Sequence, residues 1–382
     1  MPSHNVSCNV FLLFLQFYII KIAYILIKNK GEFMKLTFRW FGENDSISLE
    51  KIRQIPNMYS VVTAPYDVKA GEKWNKNTLE KLRNEAKKYG LKMEVIESIP
   101  VVEEIKYGAK NRDYFIDNYI ENIKLCAEVG VKCVCYNFMP VFDWLRTNMH
   151  HLNKDGSNSL SYSREDFEKL DPNNLHLPGW DESYSSKELN NLLSIYRKLS
   201  HEDLFNNLVY FLKRIIPTCE EVGIKMAIHP DDPPWDIFSL PRIISDEEDL
   251  DKLFKAVPSI NNGLTFCTGS LGASKHNDLV KMAGKYAKEE RIHFVHLRNV
   301  LYTDNLDSFL EVGHFTQAGS LNIGKIVKAL VDNGFDGYVR PDHGRNIWGE
   351  DGKPGYGLFD RALGATYING LFEMAELEKE GK

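Results

Sequence analysis

From Leu36 onward, short runs of apolar, β-branched and aromatic residues alternate with longer segments whose apolar positions recur at helical spacing. The short runs are LTFRWF (36–41), SVVTA (60–64), MEVIES (93–98), CVCYNF (133–138), KMAIHP (225–230), GLTFCT (263–268), IHFVHL (292–297) and GYVRP (337–341). Helical segments follow them; NTLEKLRNEAKKYG, RDYFIDNYIENIKLCAEVG, LFNNLVYFLKRIIPTCEEVG and NIGKIVKALVDNG are the clearest. Each of these four closes on a glycine suited to the left-handed position at a helix end. Eight strand–helix units predict an α/β fold, a (β/α)8 TIM barrel over residues 34–382, whose site lies at the C-terminal ends of the strands. An open doubly wound sheet is the weaker alternative, because no G-x-G-x-x-G follows the first strand.

Two regions break the pattern. After the fourth strand, residues 141 to about 200 are polar and rich in Ser, Asn, Asp and Tyr, with a capping-box start at Ser163 and Asp166. A loop of this length after a barrel strand is expected to be a lid, a dimer contact or both, so a homodimer is the expected assembly. Residues 1–33 contain an apolar stretch, NVFLLFLQFYIIKIAYILI, of nearly membrane-spanning length. Lys21 interrupts it, no basic segment precedes it and no small-residue cleavage site follows. The codons for Lys30 to Met34 are compatible with a purine-rich ribosome-binding sequence before a start codon, so residues 1–33 are read as a mis-annotated extension and Met34 as the start. A membrane-anchored sugar-binding protein using residues 10–27 as a span is the rival reading.

Composition narrows the function. The chain is 43% hydrophobic and 26% charged, ample for a large core. The net charge of −6, with no compensating basic run, argues against nucleic acid as a partner. Six cysteines show no repeated metal-type pairing; Cys133 and Cys135 share one face of a strand and read as buried free thiols. A reduced, cytoplasmic setting without membrane association is expected.

The chemistry gathers at four consecutive strand ends. His229 closes the fifth strand, Cys267 the sixth, His296 the seventh and Asp342 the eighth. Any one of these residues alone would be read as a satisfied core group, but barrel geometry points all four toward one place. Two imidazoles, a thiolate and a carboxylate suit Fe(II), Mn(II), Co(II) or Zn(II). His293 serves as an internal control: it lies three residues before His296, so strand alternation assigns it to the helix-facing side. In GYVRPDHGR (337–345), Asp342 is then a ligand, and its neighbour His343 is free for proton transfer. Arg298 shares the inward face with His296 and reads either as a bidentate grip on a carboxylate or as a structural ion pair at the barrel mouth. The prolines of HPDDPP give a rigid loop, in which Asp231 and Asp232 orient His229 or bind sugar hydroxyls. TGSLGAS lacks the lysine of a phosphate loop and reads as close backbone packing.

RWFG (39–42), YNFMPVFDW (136–144), HPDDPP (229–234), FCTGSLG (266–272), HLRN (296–299) and RPDHGR (340–345) together resemble the mannonate dehydratase family. The likeness runs from Met34 to near the C-terminus. It implies a xylose-isomerase-like barrel that dehydrates D-mannonate, a small sugar acid, to 2-dehydro-3-deoxy-D-gluconate in hexuronate degradation with Fe(II) or Mn(II). It places the metal on His229, Cys267, His296 and Asp342, acid/base chemistry on His343 and Tyr356, and substrate contacts on Arg298, Arg345, Arg39 and His314. The chain departs from the family pattern at Pro65, Tyr66 and Asp67, at Val102 and at Leu145. A sugar isomerase or epimerase on the same metal barrel is the alternative reaction. A phosphodiesterase acting on damaged DNA is disfavoured by the net charge and the single ligand set.

Overall fold

The computed structural model describes residues 34–170, 184–303 and 307–381. In chain order the strands are β1 (Lys35–Arg39), β2 (Ser60–Thr63), β3 (Lys92–Glu97), β4 (Cys133–Tyr136), β5 (Asn148–Leu152), β6 (Asn158–Tyr162), β7 (Lys225–Ile228), β8 (Asn262–Cys267), β9 (Ile292–Leu297), β10 (Asn299–Tyr302), β11 (Phe309–Val312) and β12 (Tyr338–Pro341). Eight of them, the ones the apolar runs predict, form a closed parallel barrel ordered β1-β2-β3-β4-β7-β8-β9-β12. The barrel closes by pairing Tyr338 of β12 with Lys35 of β1.

Strands covered on both faces read as continuous apolar runs, and β4, β8 and β9 are buried at every position. Val62, Val95, Cys133, Cys135, Ala227, Phe294 and Tyr338 pack together as the barrel interior. The two cysteines of CVC therefore do share a face, as free buried thiols. His293 is buried against Gly263 at a register shift between β8 and β9, and burial pushes its imidazole down to about 3. The helices Arg112–Glu128 and His201–Val222 end just before Gly130 and at Gly223, whose φ values of 91° and 72° would strain any side-chain-bearing residue.

The segment after β4 is more ordered than its polarity suggests. It contributes the hairpin β5–β6 and the helices Arg164–Glu168 and Ser186–Tyr196. Ser163 caps the first of these helices by accepting the Asp166 N–H, but its own N–H is given to Thr147 Oγ1 at 2.9 Å, so no reciprocal box forms. Reciprocal boxes form instead at Ser185 with Glu188 and at Ser200 with Asp203.

A second excursion, which the sequence pattern did not predict, follows β9. Strands β10 and β11 pair as a hairpin and join β6 to make an antiparallel sheet ordered β10-β11-β6-β5. The four-residue strands and the polar turn between them hide this hairpin from any period-two pattern. The sheet is held by Tyr162 stacked on Phe309, with ring centroids 5.8 Å apart, and by Trp235 set edge-on to Tyr162. Asn158 of β6 and Asn346 exchange backbone hydrogen bonds of 3.1 and 2.8 Å, tying the sheet to the loop that follows β12. Among the described residues, no helix is long and apolar enough to cross a membrane. The proposed extension and the 10–27 span lie outside those residues.

Candidate active site

The C-terminal strand ends converge on a cavity of about 160 Å³, small enough to suit one small molecule. Arg39, Glu97, His229, Asp342, His343 and Tyr356 are among the groups lining it. Beneath its wall lie Cys267 and His296, both fully buried. The donor atoms of His229, Cys267 and His296 all lie within 4.8 Å of one another. The Asp342 carboxylate is 3.6 Å from Cys267 Sγ and 3.9 Å from His296 Nδ1. Donors bonded to one ion at roughly 2.0–2.3 Å sit roughly 3–4.5 Å from each other, so His229, Cys267 and His296 suit a divalent metal, with the Asp342 carboxylate against two of them.

Electrostatics support that fit. Burial works against ionising Cys267, but Arg298 and His229 hold its thiol well below the ordinary range. Burial likewise opposes a charged His229, yet the adjacent Cys267 pushes it up to about 9. Cys267 is thus held as a thiolate beside His229, and Arg340 holds the Asp342 carboxyl well below its usual range against the burial that opposes its charge. His296 Nε2 and Asp342 Oδ1 have no hydrogen-bond partner among the described residues. Arg340 Nη2 lies only 2.8 Å from Asp342 Oδ1, but off the direction a hydrogen bond needs. A thiolate, two imidazoles and a carboxylate are ligands for a borderline transition metal.

Beside this cluster His343 lies between two partners. Its Nδ1 is 3.0 Å from Glu311 Oε2, and its Nε2 is 3.1 Å from the Tyr356 hydroxyl. Burial pushes Tyr356 up to about 12, so its phenol keeps its proton. Phe41 and His343 each meet the Tyr356 ring edge-on, at 5.0 and 4.9 Å.

The predicted substrate contacts divide into two groups. Arg39 lines the cavity and pairs with Glu97 at 3.0 Å. Arg298 is gripped by protein through its Nη groups, by Asp232 at 2.6 Å, Ser270 at 3.0 Å and Glu311, while its Nε lies 2.8 Å from Asp342 without a hydrogen-bond partner among the described residues. Its close approach depends on Gly269, where an added Cβ would lie 2.2 Å from Arg298 Nε. Arg345 lies outside the lining, paired with Asp360 and Asp155. His314 is buried against Gly364, and burial pushes it down to about 4. Within HPDDPP, Asp231 accepts the Ile243 and Ile244 N–H groups at 2.7 Å, while Asp232 grips Arg146 through both oxygens.

Sequence reasoning missed Arg340, Glu97, Arg146 and any role for Glu311. Arg340 shares the inward parity of Asp342, and Glu97 is the last residue of β3; both signals were available from strand alternation alone. Arg146 and Glu311 meet only because two insertions pair, which no local pattern announces.

Eight parallel strands closed into a barrel, with titratable side chains gathered at their C-terminal ends, define a (β/α)8 barrel protein. A xylose isomerase domain protein from Planctomyces limnophilus has this fold at a TM-score of 0.52 and 12% identity, covering 90% of this chain and 99% of that one. The family profile described as D-mannonate dehydratase (UxuA) matches residues 34–381, and the chain belongs to that family of hydro-lyases. "Mannonate dehydratase 2" of Halalkalibacterium halodurans is 50% identical over 342 residues, 89% of this chain and 99% of that protein. The crystal structure of mannonate dehydratase from Streptococcus suis serotype 2 aligns with a TM-score of 0.85 at 46% identity, covering 91% of this chain and 96% of that chain.

Proposed function

We propose that this enzyme removes water from D-mannonate to give 2-dehydro-3-deoxy-D-gluconate, a step of hexuronate catabolism, with Fe(II) or Mn(II) held by His229, Cys267, His296 and Asp342. The observation that supports this reading is the convergence of His229, Cys267 and His296, with Asp342 against Cys267, beside the His343–Tyr356 pair. A divalent ion held there would supply Lewis-acid charge to stabilise the negative charge that develops on the substrate.

The chain's own residues do the rest. Arg39 and Arg340 are the cations facing the cavity, and Arg39 Nε and Arg340 Nε and Nη1 have no hydrogen-bond partner among the described residues. They suit the substrate carboxylate. His343 takes the C2 proton on Nε2, and Tyr356, which enters protonated, gives its hydroxyl proton to the departing C3 oxygen. The proton gained by His343 then passes across the 3.1 Å contact to the phenolate, restoring both groups. The products are one water and an enol that tautomerises to the 2-keto acid.

An anaerobic assay of purified protein with D-mannonate, with and without Mn(II) and Fe(II), tests the proposal. A metal-dependent product that reacts with thiobarbituric acid supports it. Epimerised or isomerised sugar acid without loss of water overturns it in favour of an isomerase.

A further inference from the structure

Glu311 reaches the site from β11, in a sheet that is no part of the barrel. Its carboxylate is surrounded by donors. Oε1 accepts from Arg146 Nε and Nη2 at 2.8 and 2.6 Å and from Arg298 Nη1, while Oε2 faces His343 Nδ1 at 3.0 Å. All four side chains are buried, with 5% exposure or less. Arg146 is itself fixed by its bidentate pair with Asp232, and Arg298 by Asp232 and Ser270. The carboxylate is therefore locked on one side by two guanidinium groups and has a single imidazole on the other.

We propose that Glu311 is a positioning residue for the dehydration: it holds His343 with the proton on Nδ1, so that Nε2 faces Tyr356 and the cavity as an acceptor. A carboxylate that already accepts from two arginines accepts from the imidazole and gives it no proton, which assigns the tautomer. The Trp144 ring lies 5.6 Å from His343 on another side and adds packing without a competing acceptor at Nδ1. The two insertions thus do more than cover the barrel mouth. They carry Arg146 and Glu311 to the back of the proton-transfer histidine. A group that orients a catalytic base contributes through that base alone, so its effect vanishes once the base is gone.

The inference rests on the reading of His343 as a proton-transfer group, and its test separates the two. In the metal-loaded wild-type enzyme, nitrogen-15 shifts of the His343 ring, assigned by their loss in His343→Gln, should show Nδ1 protonated and Nε2 bare. An Nε2–H tautomer there overturns the proposal without any variant. Glu311→Gln should lower kcat about 10²-fold or more, with KM within about threefold and metal content unchanged. Combined with His343→Gln it should add nothing, so the double variant matches His343→Gln alone within about threefold. Additive losses mean that Glu311 serves only to neutralise Arg146 and Arg298, and wild-type kcat in Glu311→Gln means that it serves neither role; either overturns the inference. If His343→Gln itself turns over normally, the proton-transfer reading fails, and the nitrogen-15 shifts alone decide the tautomer.

Discussion

The two halves of the cavity are built by different means. The proposed ligand half, His229, Cys267, His296 and Asp342, comes from the ends of four adjacent barrel strands and needs nothing beyond the barrel to assemble. The proposed proton-transfer half, His343 and Tyr356, lies on the loop after β12 and is backed by Glu311 and Arg146 from the two insertions. Two cysteines sharpen the contrast. Burial alone would push both thiols up, and it does so at Cys135, where the nearby Glu97 charge adds to it and the Thr265 hydroxyl, 3.2 Å from Sγ, does not offset it. Cys267 escapes because Arg298 and His229 stand beside it. Residue type sets what a position is able to do, and the charges that the fold brings beside it set what it does.

If the halves are distinct, their variants must fail differently. The largest effect should come from the ligands: Asp342→Asn and Cys267→Ser should lose both metal and turnover, because each replaces a charged ligand with a neutral one. Metal analysis after dialysis checks this, and full activity after exhaustive chelation would remove the metal from the mechanism.

Next in size is Arg146→Met. It strands Asp232 and Glu311, two buried carboxylates that Arg146 now compensates, and should cost about 3–5 kcal/mol of stability. Urea unfolding measures it; a loss below about 1 kcal/mol would mean that Arg298 alone neutralises both groups.

His343→Asn and Tyr356→Phe should keep their metal and lose turnover by about 10²-fold or more. Metal loss in either one would merge the two halves into a single unit and contradict the comparison drawn here.

The smallest effect lies outside the site, at His293. Its pKa falls from 6.5 to about 3 on folding, so the protein prefers it neutral. The stability this provides is present above pH 6.5 and is lost as pH falls toward 3. Wild type should therefore lose roughly 1 kcal/mol between about pH 6.5 and about pH 5.5 from this group, and His293→Met should show a shallower pH dependence over that interval. Parallel curves for the two proteins would refute the assignment.

The barrel and the ligand half were legible from the sequence for one reason. Both follow from local periodicity: alternation decides which strand residues point inward, and a barrel turns four inward strand ends into neighbours. What sequence left open needed contacts between distant segments. Arg298 reads equally as a substrate grip or a structural pair until Asp232, Asp342 and Glu311 are seen around it. Arg146 meets Glu311 across 165 residues because β6 and β11 pair, and strands of four or five residues with polar turns carry too little pattern to announce that pairing. The sequence by itself determined the eight strands and brought the four proposed ligands to neighbouring strand ends. Only the tertiary structure decided which charges are already paired, because the pairing of a buried charge depends on what the rest of the chain brings within about 3 Å of it.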